Sequence, residues 1–278
     1  MSVAVLPALI PDIRQIYDIY FRSFGNDKMG QIMIQILFPQ GTDSEEFRQA
    51  HAAGTLAYWQ TNTTQYTQKV VDMATGDIIG MCLGDVYLKE RSPEERKNEG
   101  VPWLEGAQRE RAEAVLNPLW EMREKLFGGR RYLYSHVIAV DPKHQGRKVG
   151  AALVKWGAEQ CEMTGLPCYF ESSPTTAGLY LKMGWELLPE QIVHKKEVLG
   201  TDEDIVVPLM VRMPSWAGMT FAEWRARGYP DYISNKAPTL QPGAVAAAGK
   251  APVSVAAVAA VAASTDPAPV PVPAPLGA

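Results

Sequence analysis

The residues with the clearest chemical potential follow a run of aromatic and β-branched side chains from Tyr132 to Val140. Asp141-Pro142 ends this predicted strand, a glycine-containing turn comes next, and an apolar helix is predicted from Val149 to Cys161. The first backbone N–H groups of a helix have no partner within it and lie at the positive end of its dipole, so they can bind a phosphate or pyrophosphate. The segment Gln145 to Ala151 is therefore predicted to be an anion-binding loop.

The spacing of this loop excludes two other phosphate-binding motifs. A Walker loop requires GxxxxGK[ST] and a dinucleotide fingerprint requires GxGxxG, and Gly146 and Gly150 fit neither pattern. Arg147 and Lys148 add positive charge where an anion would sit. ATP and NAD are therefore not predicted as ligands.

Two motifs in this part of the chain resemble the GNAT superfamily of acyl-CoA N-acyltransferases. The signature [QR]-x-x-G-x-[GA] is matched by Gln145 and Gly150, after the apolar stretch Ile138 to Pro142. Lys148 stands where the signature has its first glycine, and a lysine fits there without strain if its φ is negative. About thirty residues further on, Gly178 to Trp185 is similar to the family stretch LYxKxGF.

The resemblance implies an α/β (α+β) fold with a central mixed, mostly antiparallel twisted sheet and helices on both faces. Two neighbouring parallel strands, ending near Val140 and Ser172, would splay apart and admit the pantetheine arm of acetyl-CoA. Backbone groups of the first strand would bind the arm like an added strand. The residues expected to bind acetyl-CoA are Ile138, Val140, Gln145, Gly146, Arg147, Lys148, Val149, Gly150, Ala151 and Ser173.

Acetyl transfer to an amine needs a neutral nucleophile, a polarised carbonyl and a proton for the leaving thiolate. Tyr180 matches the family tyrosine that lies beside the sulfur and could supply that proton; the alternative is an aromatic side chain that only packs between helix and sheet. His136 and Glu171, one on each central strand, are the candidate bases. Strand alternation predicts that His136 shares a face with Tyr134, Ile138 and Val140.

Each candidate base also has a structural interpretation. His136 has the right pKa range for a base near neutral pH, but a histidine within a buried strand can equally be a hydrogen-bonded core residue. Glu171 could attract an ammonium group or relay its proton, or it could be a helix-capping or surface carboxylate. His51 and His194 have no partners at metal-ligand spacing, so no metal site is predicted.

One catalytic domain is predicted over residues 1–236, followed by an Ala/Pro/Val-rich disordered tail over residues 237–278. A charged helical insertion is predicted at about residues 89–131, with Pro118 marking a kink or a restart. Such a run is normally a solvated face, and the alternative is a wall or lid on the acceptor side. Pro208 should place the late strand Ile205 to Met213 at an edge or a bulge. The other predicted elements are strands Val3 to Leu6, Thr67 to Asp72 and Ile78 to Leu88, and helices starting at Pro11 and Lys28.

The composition narrows the classes of partner. A formal charge of -4 over 278 residues gives no polycationic footprint for nucleic acid, and no apolar run approaches the length of a membrane helix. Without a recognisable signal sequence, a cytoplasmic location is expected, with the nucleus left open. The acidic balance favours a small cationic amine over a phosphorylated acceptor, and a peptide amine remains an alternative. The sequence does not determine the oligomeric state.

Three functions are compatible with these residues. The first is an acetyl-CoA-dependent N-acetyltransferase that forms a ternary complex and transfers the acetyl group directly, since neither motif contains a cysteine. The second is a catalytically silent acyl-CoA-binding or regulatory module, which Tyr180 and His136 argue against and the departure at Lys148 argues for. The third is transfer of a longer acyl group, or transfer to a hydroxyl.

Overall fold

The computed structural model describes residues 2–234, which form a seven-stranded sheet with helices on both faces and a separate two-stranded sheet. The predicted tail, residues 237–278, lies outside the described residues. The strands are β1 (Val3–Pro7), β2 (Gln65–Asp72), β3 (Ile78–Tyr87), β4 (Tyr132–Val140), β5 (Cys168–Glu171), β6 (Glu186–Leu187), β7 (Ile192–His194), β8 (Ile205–Val207) and β9 (Leu209–Arg212). The helices are α1 (Ile13–Phe24), α2 (Lys28–Leu37), α3 (Glu45–Thr61), α4 (Gly106–Leu126), α5 (Val149–Thr164), α6 (Ala177–Lys182), α7 (Lys196–Leu199) and α8 (Phe221–Ala226).

The main sheet has the strand order β1-β2-β3-β4-β5-β9-β6. Among the described strands, β4 and β5 are the one parallel pair of neighbours, and the other pairs are antiparallel. The predicted α/β fold with a mixed, mostly antiparallel sheet is therefore confirmed. The predicted hairpin between β2 and β3 is also present, with Gly76 at φ +80° in its turn.

One face of the sheet is covered by the helices of the first half of the chain. The apolar stripe of α1 buries Ile16, Tyr17 and Tyr20 against the strand centres, with Met81 of β3 and Val137 of β4 in the same buried cluster. Burial of such side chains contributes about 1.5–3 kcal/mol each. This layer holds α1 against β3 and β4.

The opposite face is covered by α5. Val149 and Leu153 of this helix pack against Cys82 of β3, with Ile138 and Val140 of β4 alongside. The helix that follows β4 therefore returns along its own strand, which fixes the position of the α5 N-terminus at the end of β4.

Helix α4 decides between alternatives that the sequence left open. It continues from Gly106 to Leu126 with Pro118 inside it, so of the kink and the restart predicted at Pro118, the restart is excluded. Proline removes one backbone hydrogen bond, and the burial of Val115 and Leu116 on the core face offsets that loss. The segment is also not only a solvated face, because it contributes to both buried clusters beneath it.

The chain around Pro208 also departs from its prediction. A single strand from Ile205 to Met213 was expected, but Pro208 divides it into β8, which pairs with β7, and β9, which lies between β5 and β6 in the main sheet. Proline cannot donate to a strand ladder, so the chain changes sheets at this residue. The hairpin β7–β8 packs against α4 and forms a separate wall beside the main sheet.

Candidate active site

The two edges of β4 are paired to very different extents. Towards β3 the register runs from Tyr132 opposite Tyr87 to Val140 opposite Gly80. Towards β5 it covers two pairs, the second of which joins Tyr134 to Tyr169. Beyond that pair the parallel strands diverge, so β4 presents an edge that β5 does not cover. This divergence of β4 and β5 is the splay that the family resemblance implies.

A β-bulge in β4 changes which side chains share a face. Leu83 pairs with Val137 and Gly84 with Ser135, so His136 has no partner residue in β3. Val137 consequently lies in the cluster under α1, whereas Ile138 packs on the α5 side. The predicted alternation, with His136 on the face of Ile138 and Val140, is therefore wrong, because the extra residue reverses the pattern after it.

A cleft of about 780 Å³ opens between the diverging strands. It extends from the N-terminus of α5 past the middle of β4 to the hairpin β7–β8. All three predicted catalytic residues and nine of the ten predicted donor-binding residues line it. These residues are His136, Glu171, Tyr180, Ile138, Val140, Gln145, Gly146, Lys148, Val149, Gly150, Ala151 and Ser173.

Lys148 is held in the left-handed region, at φ +64°, where the prediction required a negative φ. This correction has a structural reason, since the residue caps α5 and turns the chain from the loop into the helix. A non-glycine residue in this region costs about 1–2 kcal/mol. The lysine therefore retains the turn geometry of the glycine it replaces, at an energetic cost, and carries a cation on the cleft wall.

The N-terminus of α5 offers backbone donors to the cleft. The helical ladder begins with the Ala152 N–H, which donates to the Lys148 carbonyl, so the N–H groups before it have no acceptor within the helix. A Cβ added at Gly150 would meet only Val140 Cγ2, at 3.6 Å, so the backbone is approachable there. These donors and the helix dipole make an anion site.

Arg147 is the donor-binding candidate that the structure does not bring to the cleft. Its guanidinium lies 3.3 Å from the Asp72 carboxylate of β2 and 2.5 Å from His144 Nδ1. Asp72 is far from Arg147 in sequence, so the spacing of the loop alone could not reveal this ion pair. Lys148 is thus the cation of the loop that faces the cleft.

His136 is paired with a buried carboxylate. Its Nε2 lies 2.7 Å from Asp85 Oδ2, and the side chains are 5% and 1% exposed. The Tyr87 hydroxyl donates to the same carboxylate at 2.7 Å, and Thr64 donates to its other oxygen at 3.2 Å. Burial alone would raise the pKa of Asp85, but His136 and these two hydroxyls bring it below its ordinary value. Asp85 is therefore an anion that fixes the His136 ring.

The structural interpretation of Glu171 as a helix cap or a surface carboxylate does not hold. Its Oε2 accepts a hydrogen bond from the Tyr134 hydroxyl at 2.8 Å, and its buried Oε1 has no hydrogen-bond partner among the described residues. The guanidinium of Arg123 lies 4.2 Å from the centre of the Tyr134 ring. Although burial disfavours its charge, Tyr134 and Glu171 raise the pKa of Arg123, so a cation lies behind the carboxylate.

Tyr180 both packs as an aromatic side chain and faces the cleft, the two alternatives that the sequence left open. Its ring packs edge-on against Phe170 with centroids 4.6 Å apart, and the residue is 8% exposed. The side chain also lines the cleft, and burial raises the pKa of its hydroxyl. The hydroxyl therefore keeps its proton at neutral pH. Near it, Ser173 Oγ lies 2.9 Å from Thr176 Oγ1 on the opposite cleft wall from α5.

Two functional candidates were missed from the sequence. Asp85 could have been noticed as a carboxylate in the apolar strand Ile78–Tyr87, although nothing in the sequence pairs it with His136. His194 was set aside for lack of a partner, yet it lies buried on β7 and lines the cleft opposite Ile205 of β8. Only the hairpin at Pro208 brings it there.

The cleft fits an acyl-CoA molecule. Unpaired backbone donors and Lys148 suit the pyrophosphate, and the uncovered edge of β4 suits an extended pantetheine arm. Over residues 2–234, no three His, Cys, Asp or Glu side chains come together as a metal site would require. In the same range, no helix combines the length and the apolar character needed to cross a membrane.

Comparisons with known proteins agree with this geometry. A family model for the acetyltransferase (GNAT) domain matches residues 113–187. The chain is 32% identical over 137 residues to the probable acyltransferase SID5 of Ajellomyces capsulatus, which covers 49% of this chain and 95% of that protein. The fold is similar to mosquito arylalkylamine N-acetyltransferase like 5b, with a TM-score of 0.52 and 17% identity over 76% of this chain and 100% of that one. A histone acetyltransferase HPA2 and related acetyltransferase from Corynebacterium glutamicum matches with a TM-score of 0.46 and 19% identity, over 77% of this chain and 98% of that one.

The matches to the GNAT domain model and to the curated acyltransferase identify the chain as an acyl-CoA-dependent acyltransferase, and the splayed parallel pair and the helix N-terminus are consistent with that class. The chain belongs to the GNAT acetyltransferase family. The prediction of this family from the two sequence motifs is therefore confirmed.

Proposed function

We propose that the protein is an acetyl-CoA-dependent N-acetyltransferase that transfers the acetyl group directly to an amine within a ternary complex. The observation that carries this proposal is the single cleft between β4 and β5, which joins the α5 N-terminus to His136, Glu171 and Tyr180. Anion-binding groups and proton-transfer groups thus face one continuous space.

The donor is held mainly by the backbone. The N–H groups at the start of α5 and the side chain of Lys148 bind the pyrophosphate, and Gly146 leaves space beside them, since a Cβ there would meet nothing within 4 Å. Backbone groups of Ile138 and Val140 bind the pantetheine arm on the uncovered edge of β4. Ser173 faces the arm from the opposite wall.

His136 is the general base. Asp85 engages Nε2, which leaves Nδ1 as the nitrogen that accepts a proton from the amine. Acetyl-CoA supplies an activated thioester carbonyl carbon, to which the amine nitrogen forms a bond as the carbon–sulfur bond breaks. Tyr180 donates its proton to the departing sulfur, and solvent returns a proton from His136 to Tyr180. The products are an amide and the free thiol of CoA.

Glu171 attracts the acceptor. Glu171 lines the cleft, and its Oε2 is held by the Tyr134 hydroxyl while its Oε1 is buried, so the carboxylate is oriented. The Tyr134 ring also lies 4.2 Å from the His136 ring, so the negative charge is near the proposed base. This charge attracts an ammonium group, which passes one proton to solvent before the neutral amine attacks. The acceptor is a small-molecule or peptide amine.

Calorimetric titration of the full chain with acetyl-CoA, CoA and ATP tests the donor site. We expect saturable binding of both CoA ligands and none of ATP, followed by amine-dependent release of free thiol. Gly150→Glu should abolish binding, because the carboxylate would lie against the pyrophosphate. Gly157→Glu is the matched control, since it adds the same charge on the same helix outside the cleft, at a position where a Cβ meets nothing within 4 Å.

The outcomes of this titration separate the alternatives. A folded protein that binds neither CoA ligand contradicts the proposal and favours a silent module. Equal binding by both glutamate variants contradicts the position of the donor site. Faster turnover with longer acyl-CoA donors than with acetyl-CoA contradicts the acetyl preference alone.

A further inference from the structure

The end of the cleft farthest from the donor loop is apolar. Val207 belongs to the same buried cluster as Tyr134, near the start of β4, whereas Val140 packs with α5 at the other end of the strand. The two positions are six residues apart along β4, a distance of about 20 Å. The side chains that line this end and the adjoining wall from α1 and α2 are Phe24, Met29, Met33, Leu119, Ile205 and Val207.

This apolar end contains few charges. The carboxylates among the cleft-lining residues are Asp27 and Glu171. Asp27 is exposed at the start of α2, where its Oδ2 accepts a hydrogen bond from the Gly30 N–H at 2.9 Å. Glu171 is therefore the carboxylate that can bind a cation inside the cleft. The other polar side chains on these walls are Ser23, Asn26 and His194, and none of them is an anion. His194 is 4% exposed and burial lowers its pKa, so it is neutral at pH 7.

We infer that the acceptor is a primary amine with a single positive charge on an apolar alkyl or aryl body, and neither a polyamine nor a basic peptide. This inference rests on the proposed N-acetyltransferase activity. Glu171 binds the ammonium group beside His136, and the body of the acceptor packs between α2, Leu119 and the hairpin β7–β8. A second ammonium at the far end would be buried among apolar side chains without a counter-ion, which is strongly unfavourable.

Two amines of equal chain length provide the sharpest test. Hexylamine ends in a methyl group and hexamethylenediamine ends in a second ammonium, so they differ only at the far end. With the full chain and saturating acetyl-CoA, we expect kcat/KM for hexylamine to exceed that for the diamine by at least about tenfold. Phenethylamine, with an aryl body, should also be preferred over the diamine.

A pair of variants on β8 tests where the discrimination arises. Ile205 lines the cleft, whereas its neighbour Val206 points outward and is 40% exposed. Ile205→Asp should lower kcat/KM for hexylamine and raise it for the diamine, so that the ratio falls about tenfold or more. Val206→Asp adds the same charge to the outer face and should leave the ratio within about twofold.

The results distinguish failure of this inference from failure of the proposed function. Equal or better turnover of the diamine overturns the inference, while acetylation of an amine still supports the function. If neither amine is acetylated although acetyl-CoA binds, the apolar acceptor class is overturned. If the two aspartate variants behave alike, the far end is not where the body of the acceptor binds. Absence of CoA binding would remove the proposed function and the inference together.

Discussion

Two buried histidines lie in regions with opposite chemistry. His51 on α3 is surrounded by the rings of Tyr17, Phe21 and Phe47, its Nε2 has no hydrogen-bond partner among the described residues, and burial lowers its pKa to about 3. The side chain of His136 on β4 is also only 5% exposed, but a carboxylate holds its Nε2 at 2.7 Å and the residue lines the cleft. Burial alone therefore does not indicate a catalytic histidine. The carboxylate partner and the access to the cleft make the difference.

The largest effect should be the difference between two variants, in which the ring of His136 or that of His51 is replaced by a group that cannot transfer a proton. His136→Gln keeps an N–H donor for Asp85 but removes the base, and we expect kcat to fall by about 10²–10⁴-fold. His51→Phe should change kcat by less than about twofold, because an aromatic ring suits its surroundings. Steady-state kinetics with saturating acetyl-CoA measures both. Similar kcat values for the two variants would remove the functional distinction between the histidines.

The role of the partner carboxylate can be tested separately. Asp85→Asn preserves the shape of the side chain but loses the charge that fixes the His136 ring, so we expect kcat to fall by about 10²-fold. KM for acetyl-CoA should stay unchanged, since Asp85 does not line the cleft. A loss that appears in KM instead of kcat would show that Asp85 supports the donor site and not the base.

Tyr180 and Tyr20 form a second pair of buried residues of which one lines the cleft and the other does not. Burial raises the pKa of both Tyr180 and Tyr20, but only Tyr180 lines the cleft. Tyr180→Phe should lower kcat about tenfold with little change in acetyl-CoA affinity by calorimetry, because the leaving thiolate loses its proton donor. Tyr20→Phe is the matched control and should leave kcat unchanged. Wild-type kcat in Tyr180→Phe would exclude Tyr180 as the acid.

The smallest expected effect is on stability, and it arises from His51, the histidine that only packs. Above pH 6.5 His51 is neutral in both the folded and the unfolded chain, so pH has no effect through it. Between pH 6.5 and its folded pKa of about 3, only the unfolded chain takes up the proton, and the free energy of unfolding falls by up to about 1.4 kcal/mol per pH unit. His51→Phe should be correspondingly less sensitive to acid in urea unfolding at pH 7, 6 and 5. Identical pH slopes for the variant and wild type would contradict this.

The sequence predicted local elements well wherever hydrophobic period and turn residues agree. The bounds of α2 and the strand–loop–helix unit around the donor loop follow from such signals. Helix α3 was missed, although Ser44 caps it, because the surrounding composition mixes polar and apolar residues without a clear stripe.

The features that were not predicted depend on contacts between distant parts of the chain. The bulge at His136 is defined by pairing with β3, and the position of Arg147 is defined by Asp72. Period and spacing describe a single segment, so neither feature was accessible from them. The positive φ of Lys148 is different, because the glycine that the family signature has at this position is itself a signal for a left-handed residue.

The break at Pro208 also bears on how this acyltransferase can diversify. The hairpin β7–β8 carries the far wall of the cleft, yet its strands pair only with each other among the described strands and share no ladder with β4 or β5. Substitutions on its inner face can therefore reshape the acceptor end without altering the strands that hold the donor. Under the proposed function, the fold separates a constant half, in which backbone groups bind acyl-CoA, from an exchangeable half, in which a few side chains on one short hairpin can be matched to a new amine.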